Sequence, residues 1–249
     1  VFADLDGDGA DELVTATDHG VVHALRSDAS EASGFPVRTQ DAPYWHPESR
    51  SAVDDGIEAP GSAVPVGAPA VADVDGDGSP EVVVTDFDGG VHIWRSNGQR
   101  VARMSTEERF SRQEETDSRN RLKRGISGSP ALGDLDGDGD LEVVVAAMDR
   151  HVYAWHHDGA PVAGFPVLVV DPAKVAAVDP DSHRVRFKDE KGTGQGGELI
   201  ATPTLVDLVG DARPEIVVGA QEQYSEAIQA VPGIGVPGGN TRLYAISPD

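Results

Sequence analysis

Short β-branched runs recur along the chain at long, nearly even intervals. Leu13-Val14-Thr15, Val82-Val83-Val84, Val143-Val144-Val145 and Ile216-Val217-Val218 each follow an acidic, glycine-rich stretch. An apolar run of this length, bounded by turn residues, predicts a buried strand. Ten residues after the glutamate that closes each of the first three acidic stretches, a second strand is predicted: Val22-His23-Ala24-Leu25, Val91-His92-Ile93-Trp94 and Val152-Tyr153-Ala154-Trp155. The fourth copy has Leu243-Tyr244-Ala245-Ile246 instead, 28 residues after Glu215, which implies an insertion of 18 residues between its strands. Turn-forming stretches such as Asp86-Phe87-Asp88-Gly89-Gly90 lie between the paired runs and predict hairpins. A further strand is expected at Gly34-Phe35-Pro36-Val37 and Gly164-Phe165-Pro166-Val167, at equal distances from the strands before them. Each unit therefore reads as strand, acidic loop, strand, hairpin turn, strand, with a fourth strand in some copies.

The acidic loops begin at Asp4, Asp73, Asp134 and Asp207, spacings of 69, 61 and 73 residues. These are too long for the short units of a solenoid and suit a four-stranded blade. Four residues before the first Asp stands a proline preceded by a small residue: Ala68-Pro69, Ser129-Pro130 and Thr202-Pro203. The expected fold is an all-β propeller or partial propeller, with units at about residues 1–66, 67–126, 127–198 and 199–249. The first loop starts at residue 4 and leaves no apparent room for a preceding strand, so the chain reads as cut from something longer. Long polar connections at 38–66, 105–124 and 168–198 are expected on the propeller faces, where ligands usually bind.

The loops carry the chemistry. Numbered from the first Asp, positions 1, 3 and 5 are Asp4, Asp6 and Asp8; Asp73, Asp75 and Asp77; and Asp134, Asp136 and Asp138. Position 9 is Glu12, Glu81 or Glu142, and position 7, Ala10, Ser79 or Asp140, would give its backbone carbonyl. Ca²⁺ takes six to eight oxygens, and carboxylates at alternate positions plus one carbonyl supply them from a short loop. Glycine at positions 4 and 6 allows the positive φ that curls the backbone around an ion. An EF-hand needs an acid at position 12, where Thr15, Val84 and Val145 stand, and it needs flanking helices. The remaining rival is a set of acidic turns holding no metal, which would pack four like charges into nine residues. The fourth loop keeps Asp207, Asp211 and Glu215 but has Val209 at position 3 and Ala212 at position 6, so weak or no binding is expected there.

DLDGDGADELV, DVDGDGSPEVVV and DLDGDGDLEVVV, with the upstream proline and the downstream V-[HY]-x-[LW] strand, resemble the FG-GAP and VCBS repeats of integrin-α-like β-propellers. The resemblance implies Ca²⁺ held at positions 1, 3, 5, 7 and 9, in a loop joining two strands of a blade. This chain departs from the family in having Glu rather than Asp at position 9. The family's propellers commonly have about seven blades, so four units imply an incomplete ring or one closed by strands outside this chain. The resemblance also implies a non-catalytic module for extracellular binding or adhesion to protein or carbohydrate. The alternative is the scaffold of an exported enzyme such as a polysaccharide lyase.

Composition narrows the partners. With 43 acidic against 20 basic residues the formal charge is −23, which disfavours nucleic acid and anionic membrane surfaces and favours cations. No apolar run approaches the roughly 18 residues of a spanning helix, so direct membrane insertion is not expected. Cysteine is absent, which excludes disulfides. An extracellular, cell-surface or periplasmic setting is expected, since loops of this kind in extracellular modules bind at about 10⁻⁴ to 10⁻³ M. Further domains of the same chain are expected as neighbours.

Other residues are read as structural. His23 and His92 share a strand position with Tyr153 and Tyr244, an interchangeable aromatic slot. Trp94 and Trp155 recur in register and read as core or blade-interface residues. His156-His157 read as a solvated turn, because adjacent residues of a strand-like stretch face opposite ways. Trp45 could be a stacking platform or could pin its loop, and Gly192–Gly197 reads as a flexible loop. No nucleophile elbow, P-loop or dinucleotide fingerprint is present.

Overall fold

The computed structural model describes residues 1–17, 20–39, 67–111, 122–188, 196–222 and 240–248. The chain folds into a succession of antiparallel sheets. The first has the order β1 (Phe2–Ala3), β2 (Glu12–Ala16), β3 (Val21–Leu25), β4 (Val37–Arg38). The second repeats it with β5 (Ala70–Ala72), β6 (Glu81–Thr85), β7 (Gly90–Arg95) and β8 (Arg100–Ser105). The third repeats it with β9 (Ala131–Gly133), β10 (Glu142–Ala146), β11 (His151–Trp155) and β12 (Val167–Leu168). A two-stranded hairpin, β13 (Val175–Val178) and β14 (Val185–Phe187), follows. The last sheet holds β15 (Gly196–Leu199), β16 (Thr204–Val206), β17 (Glu215–Glu222) and β18 (Asn240–Ile246). In it β15 and β16 pair with opposite ends of β17, and β18 takes the other edge. These are the four blade-like repeats expected of a propeller. The first strand thought to have no room is present as the two-residue β1, paired Phe2 to Leu13 and Ala3 to Glu12.

Burial explains the strand composition. In the second and third sheets the β-branched runs, Val82 to Val84 and Val143 to Val145, have no solvent exposure on either face. A strand covered on both sides can be apolar throughout, and each such valine contributes about 1.5–3 kcal/mol of burial. In β2 the burial alternates instead, with Val14 buried and Leu13 partly exposed. That sheet is covered on one face. One apolar cluster joins Val14, Val22 and Ala24 of the first sheet to Val82, Val84 and Trp94 of the second. Another joins Val83, Val91 and Ile93 of the second to Val143, Tyr153 and Trp155 of the third. The last joins Val144, Val152 and Ala154 of the third to Ile216, Val218 and Ala220 of the fourth. Trp94 and Trp155 thus each face the preceding blade, as the register implied.

The aromatic slot does more than pack. His92 Nε2 lies 2.8 Å from Asp86 Oδ2 and the Tyr153 hydroxyl donates to Asp149 Oδ2 at 2.6 Å, so each ring is tied to an acid of its own hairpin turn. Tyr244 donates likewise to Glu222. Backbones of neighbouring blades meet at glycines. A Cβ on Gly34 would lie 1.7 Å from the Asn97 carbonyl oxygen, and one on Gly98 would lie 2.1 Å from that of Gly34. Among the described residues no helix is long and apolar enough to cross a membrane. The Trp45 segment falls outside the described residues, as do most of the 38–66 connection and residues 192–195 of the glycine-rich stretch.

Candidate metal centres

All four acidic loops are built alike, and the sheets dictate how. Each loop leaves the first strand of its blade and returns as the second, closed by the pairs Ala3–Glu12, Ala72–Glu81, Gly133–Glu142 and Val206–Glu215. The position 9 glutamate is therefore a strand residue, buried in every copy. Its Oε2 turns back to accept the position 2 backbone N–H: Leu5 at 2.9 Å, Val74 at 3.0 Å, Leu135 at 2.6 Å and Leu208 at 2.7 Å.

The position 1 aspartate holds the turn. Asp4 accepts from the N–H groups of Gly7 and Gly9, Asp134 from those of Gly137 and Gly139, and Asp73 from that of Gly78. Both loop glycines have positive φ in the first three copies, for instance 75° at Gly7 and 89° at Gly9. The fourth loop corrects one expectation. Ala212 adopts φ 73° without being glycine, and Asp207 accepts the N–H groups of Gly210, Asp211 and Ala212. These bonds pull the Asp207 carboxyl below the usual range. The backbone scaffold thus survives in the degraded copy; what changes is the side-chain set.

Ligand atoms of Asp4, Asp6 and Asp8 lie within 4.8 Å of one another, as do those of Asp73, Asp75 and Glu81, and those of Asp134, Asp136 and Asp138. Glu12 and Asp77 border these groups without entering them. At Ala10, Ser79 and Asp140 the position 7 N–H donates to the position 5 carboxylate. Asp211 receives the Arg213 N–H in the same way, and among the described residues no such group forms around Asp207, Asp211 and Glu215.

The second loop shows what its oxygens lack. Arg95 reaches its rim, donating to Asp75 at 2.9 Å and Asp77 at 2.6 Å, and this ion pair holds the Asp77 carboxyl low. Deeper in, Glu81 Oε1 and Asp73 Oδ1 are buried and have no hydrogen-bond partner among the described residues. Burial, followed by the charges of Asp75 and Asp77, pushes the Glu81 carboxyl up, and burial does the same to Glu142.

Basic side chains at one register position escaped the sequence reading. Arg26, Arg95 and His156 each follow the third strand of their blade by one residue or end it, and each leans on the acidic loop of its own blade. Arg26 donates to Asp6 at 2.9 Å, and His156 Nδ1 lies 3.0 Å from Glu142 Oε1. The signal was the fifth letter of VHALR, VHIWR and VYAWH. His156-His157 do lie at a turn, as read, but half-buried rather than solvated: His157 Nδ1 lies 2.5 Å from Asp140 Oδ2. The chain leaves the strand after Trp155, so the alternation that would part the two rings no longer applies.

Fold and loops together define an all-β array of blade-like repeats with an acidic hairpin at the same corner of each blade. The FG-GAP-like repeat family matches residues 73–145, which run from the acidic loop of the second blade through that of the third and into β10. No curated protein matches the sequence. Among solved structures, the chain is similar to the V. cholerae biofilm matrix protein Bap1, at 18% identity and a TM-score of 0.41, covering 88% of this chain and 34% of that one. It is similar to the Pseudomonas aeruginosa PilY1 C-terminal domain, at 15% identity and a TM-score of 0.42, covering 86% of this chain and 36% of that one. It is also similar to BBS1N in complex with ARL6DN, at 15% identity and a TM-score of 0.43, covering 89% of this chain and 64% of that one. The chain thus spans about a third of the first two structures.

Proposed function

We propose that the chain is a Ca²⁺-braced propeller module whose blades present a loop surface to a protein or carbohydrate outside the cell. The observation that carries the metal reading is Glu81 Oε1. A fully buried carboxylate oxygen without a partner is costly, and this one shares a cluster with Asp73 and Asp75. The donor set is all oxygen and mostly anionic, the chemistry a hard, flexible cation takes. Asp73, Asp75 and Glu81 would hold the ion in the second loop, with Asp77 and the Ser79 carbonyl completing the shell. Asp4, Asp6, Asp8, the Ala10 carbonyl and Glu12 would do so in the first loop, and Asp134, Asp136, Asp138, Asp140 and Glu142 in the third. The bound ion would cancel repulsion among carboxylates and tie the first strand of each blade to the second.

Calcium titration with calorimetry and thermal melting tests this. Millimolar Ca²⁺ is expected to raise the melting temperature and a chelator to lower it, since an ion at about ten times its Kd stabilises by about 1.4 kcal/mol per site. Glu81→Gln is expected to remove one bound equivalent. A melting temperature indifferent to Ca²⁺ and chelator would refute the metal reading. For the ligand, glycan and protein arrays probed with Ca²⁺-loaded chain are expected to give chelator-sensitive capture.

A further inference from the structure

The three intact loops are not equivalent, and the difference lies in what stands over them. In the first two the overhanging side chain is Arg26 or Arg95, a guanidinium that is permanently charged and has no lone pair for a metal. In the third it is His156, whose neutral ring nitrogen is a good ligand for first-row transition ions. Position 7 differs as well: Ala10 and Ser79 offer no carboxylate, whereas Asp140 does. These differences converge in space. Ligand atoms of Asp136, Glu142 and His156 lie within 4.8 Å of one another, and so do those of Asp138, Asp140 and His156. The two sets share the imidazole, and they meet the Asp134–Asp136–Asp138 set through its last two members.

We propose that the third loop is a mixed nitrogen and oxygen site selective for a first-row transition dication such as Zn²⁺ or Co²⁺, set in a row of otherwise all-oxygen loops. This rests on the reading that the loops are cation sites, and it assigns one of them a different ion. Glu142 anchors the site from below: it is fully buried, with Oε2 held by the Leu135 N–H and Oε1 facing the His156 ring. Asp140 has one oxygen against His157 and the other, Oδ1, buried without a partner. His157 accordingly serves as a positioning residue, holding a liganding carboxylate from outside as such partners do at histidine-rich metal sites. A hard cation gains little from an imidazole, whereas a borderline one gains a strong bond.

The test is Zn²⁺ titration of the whole chain in excess Ca²⁺, followed by calorimetry, with Co²⁺ as the spectroscopic probe. One equivalent of Zn²⁺ is expected to bind with Ca²⁺ present. His156→Gln, which keeps a polar group beside Glu142, is expected to weaken it at least tenfold, and His157→Gln several-fold. His183→Gln, at a histidine outside the acidic loops, is expected to leave Zn²⁺ binding unchanged. In the unmutated chain, Co²⁺ is expected to give contact-shifted ring-proton signals from one histidine, a readout that needs no variant. Zn²⁺ binding that is absent, or unaltered in His156→Gln, overturns the proposal. Three Ca²⁺ equivalents with no Zn²⁺ step would overturn it while leaving the calcium reading intact; a Zn²⁺ step with no Ca²⁺ response would do the reverse.

Discussion

The two oxygens of the position 9 glutamate differ in what they meet. In the second loop Oε2 accepts the Val74 N–H, while Oε1 is buried with no hydrogen-bond partner among the described residues. Substitutions separate them. Glu81→Gln retains a carbonyl oxygen for Val74 and removes the buried charge, whereas Glu81→Ala strands the N–H. In metal-free protein Glu81→Ala is therefore expected to cost about 1–3 kcal/mol more than Glu81→Gln by urea denaturation. The fourth loop allows the opposite change. Ala212 sits at φ 73°, a region that costs an L-residue roughly 1–2 kcal/mol, so Ala212→Gly is expected to raise the urea midpoint. The aspartates, glycines and glutamates of the loops were legible because they recur at fixed spacing within one short segment of each blade. Arg95 and His156 were not, because what brings them to the loop is the pairing of the second strand with the third, such as Val82 with Trp94.

At the scale of elements, strands and hairpins were legible from their β-branched runs, and the fourth strand from Gly34-Phe35-Pro36-Val37. The β13–β14 hairpin was not, since its residues carry no periodic apolar signal and what meets its turn comes from elsewhere. His183, in that turn, meets His151 of β11, with Nδ1 and Nε2 2.8 Å apart, and Phe110 stacks on both rings. Burial, then the neighbouring His151 and Arg109, lowers the His183 pKa below 6.5. The unfolded chain therefore takes up this proton first on acidification. The stability it represents is complete above pH 6.5, falls as pH drops below that value, and levels off beneath the folded-state pKa. Melting curves from pH 8 to pH 5 are expected to fall more steeply for the parent than for His183→Gln. Between blades, the Gly34–Gly98 approach leaves no space for a side chain. Gly34→Ala is expected to destabilise by about 1–3 kcal/mol, the usual range for overpacking, measurable by thermal melting in Ca²⁺ and in chelator alike.

Across the whole molecule, apolar clusters lock each sheet to the next, and the outward faces of the first and fourth sheets carry exposed Leu13 and Leu243. Because the four acidic hairpins occupy the same corner of like blades, their charge gathers along one rim. Salt screens such repulsion, so added NaCl is expected to raise the melting temperature of metal-free protein more than that of Ca²⁺-loaded protein. The hairpins also touch. The Leu141 N–H in the third loop donates to the Val74 carbonyl in the second at 3.0 Å, while the Val74 N–H is held by Glu81. One residue, Val74, is thus held through its N–H by its own blade and through its carbonyl by the neighbouring one. A protease given this chain in falling Ca²⁺ would consequently find both hairpins becoming cleavable at one threshold, rather than nicking them one after the other.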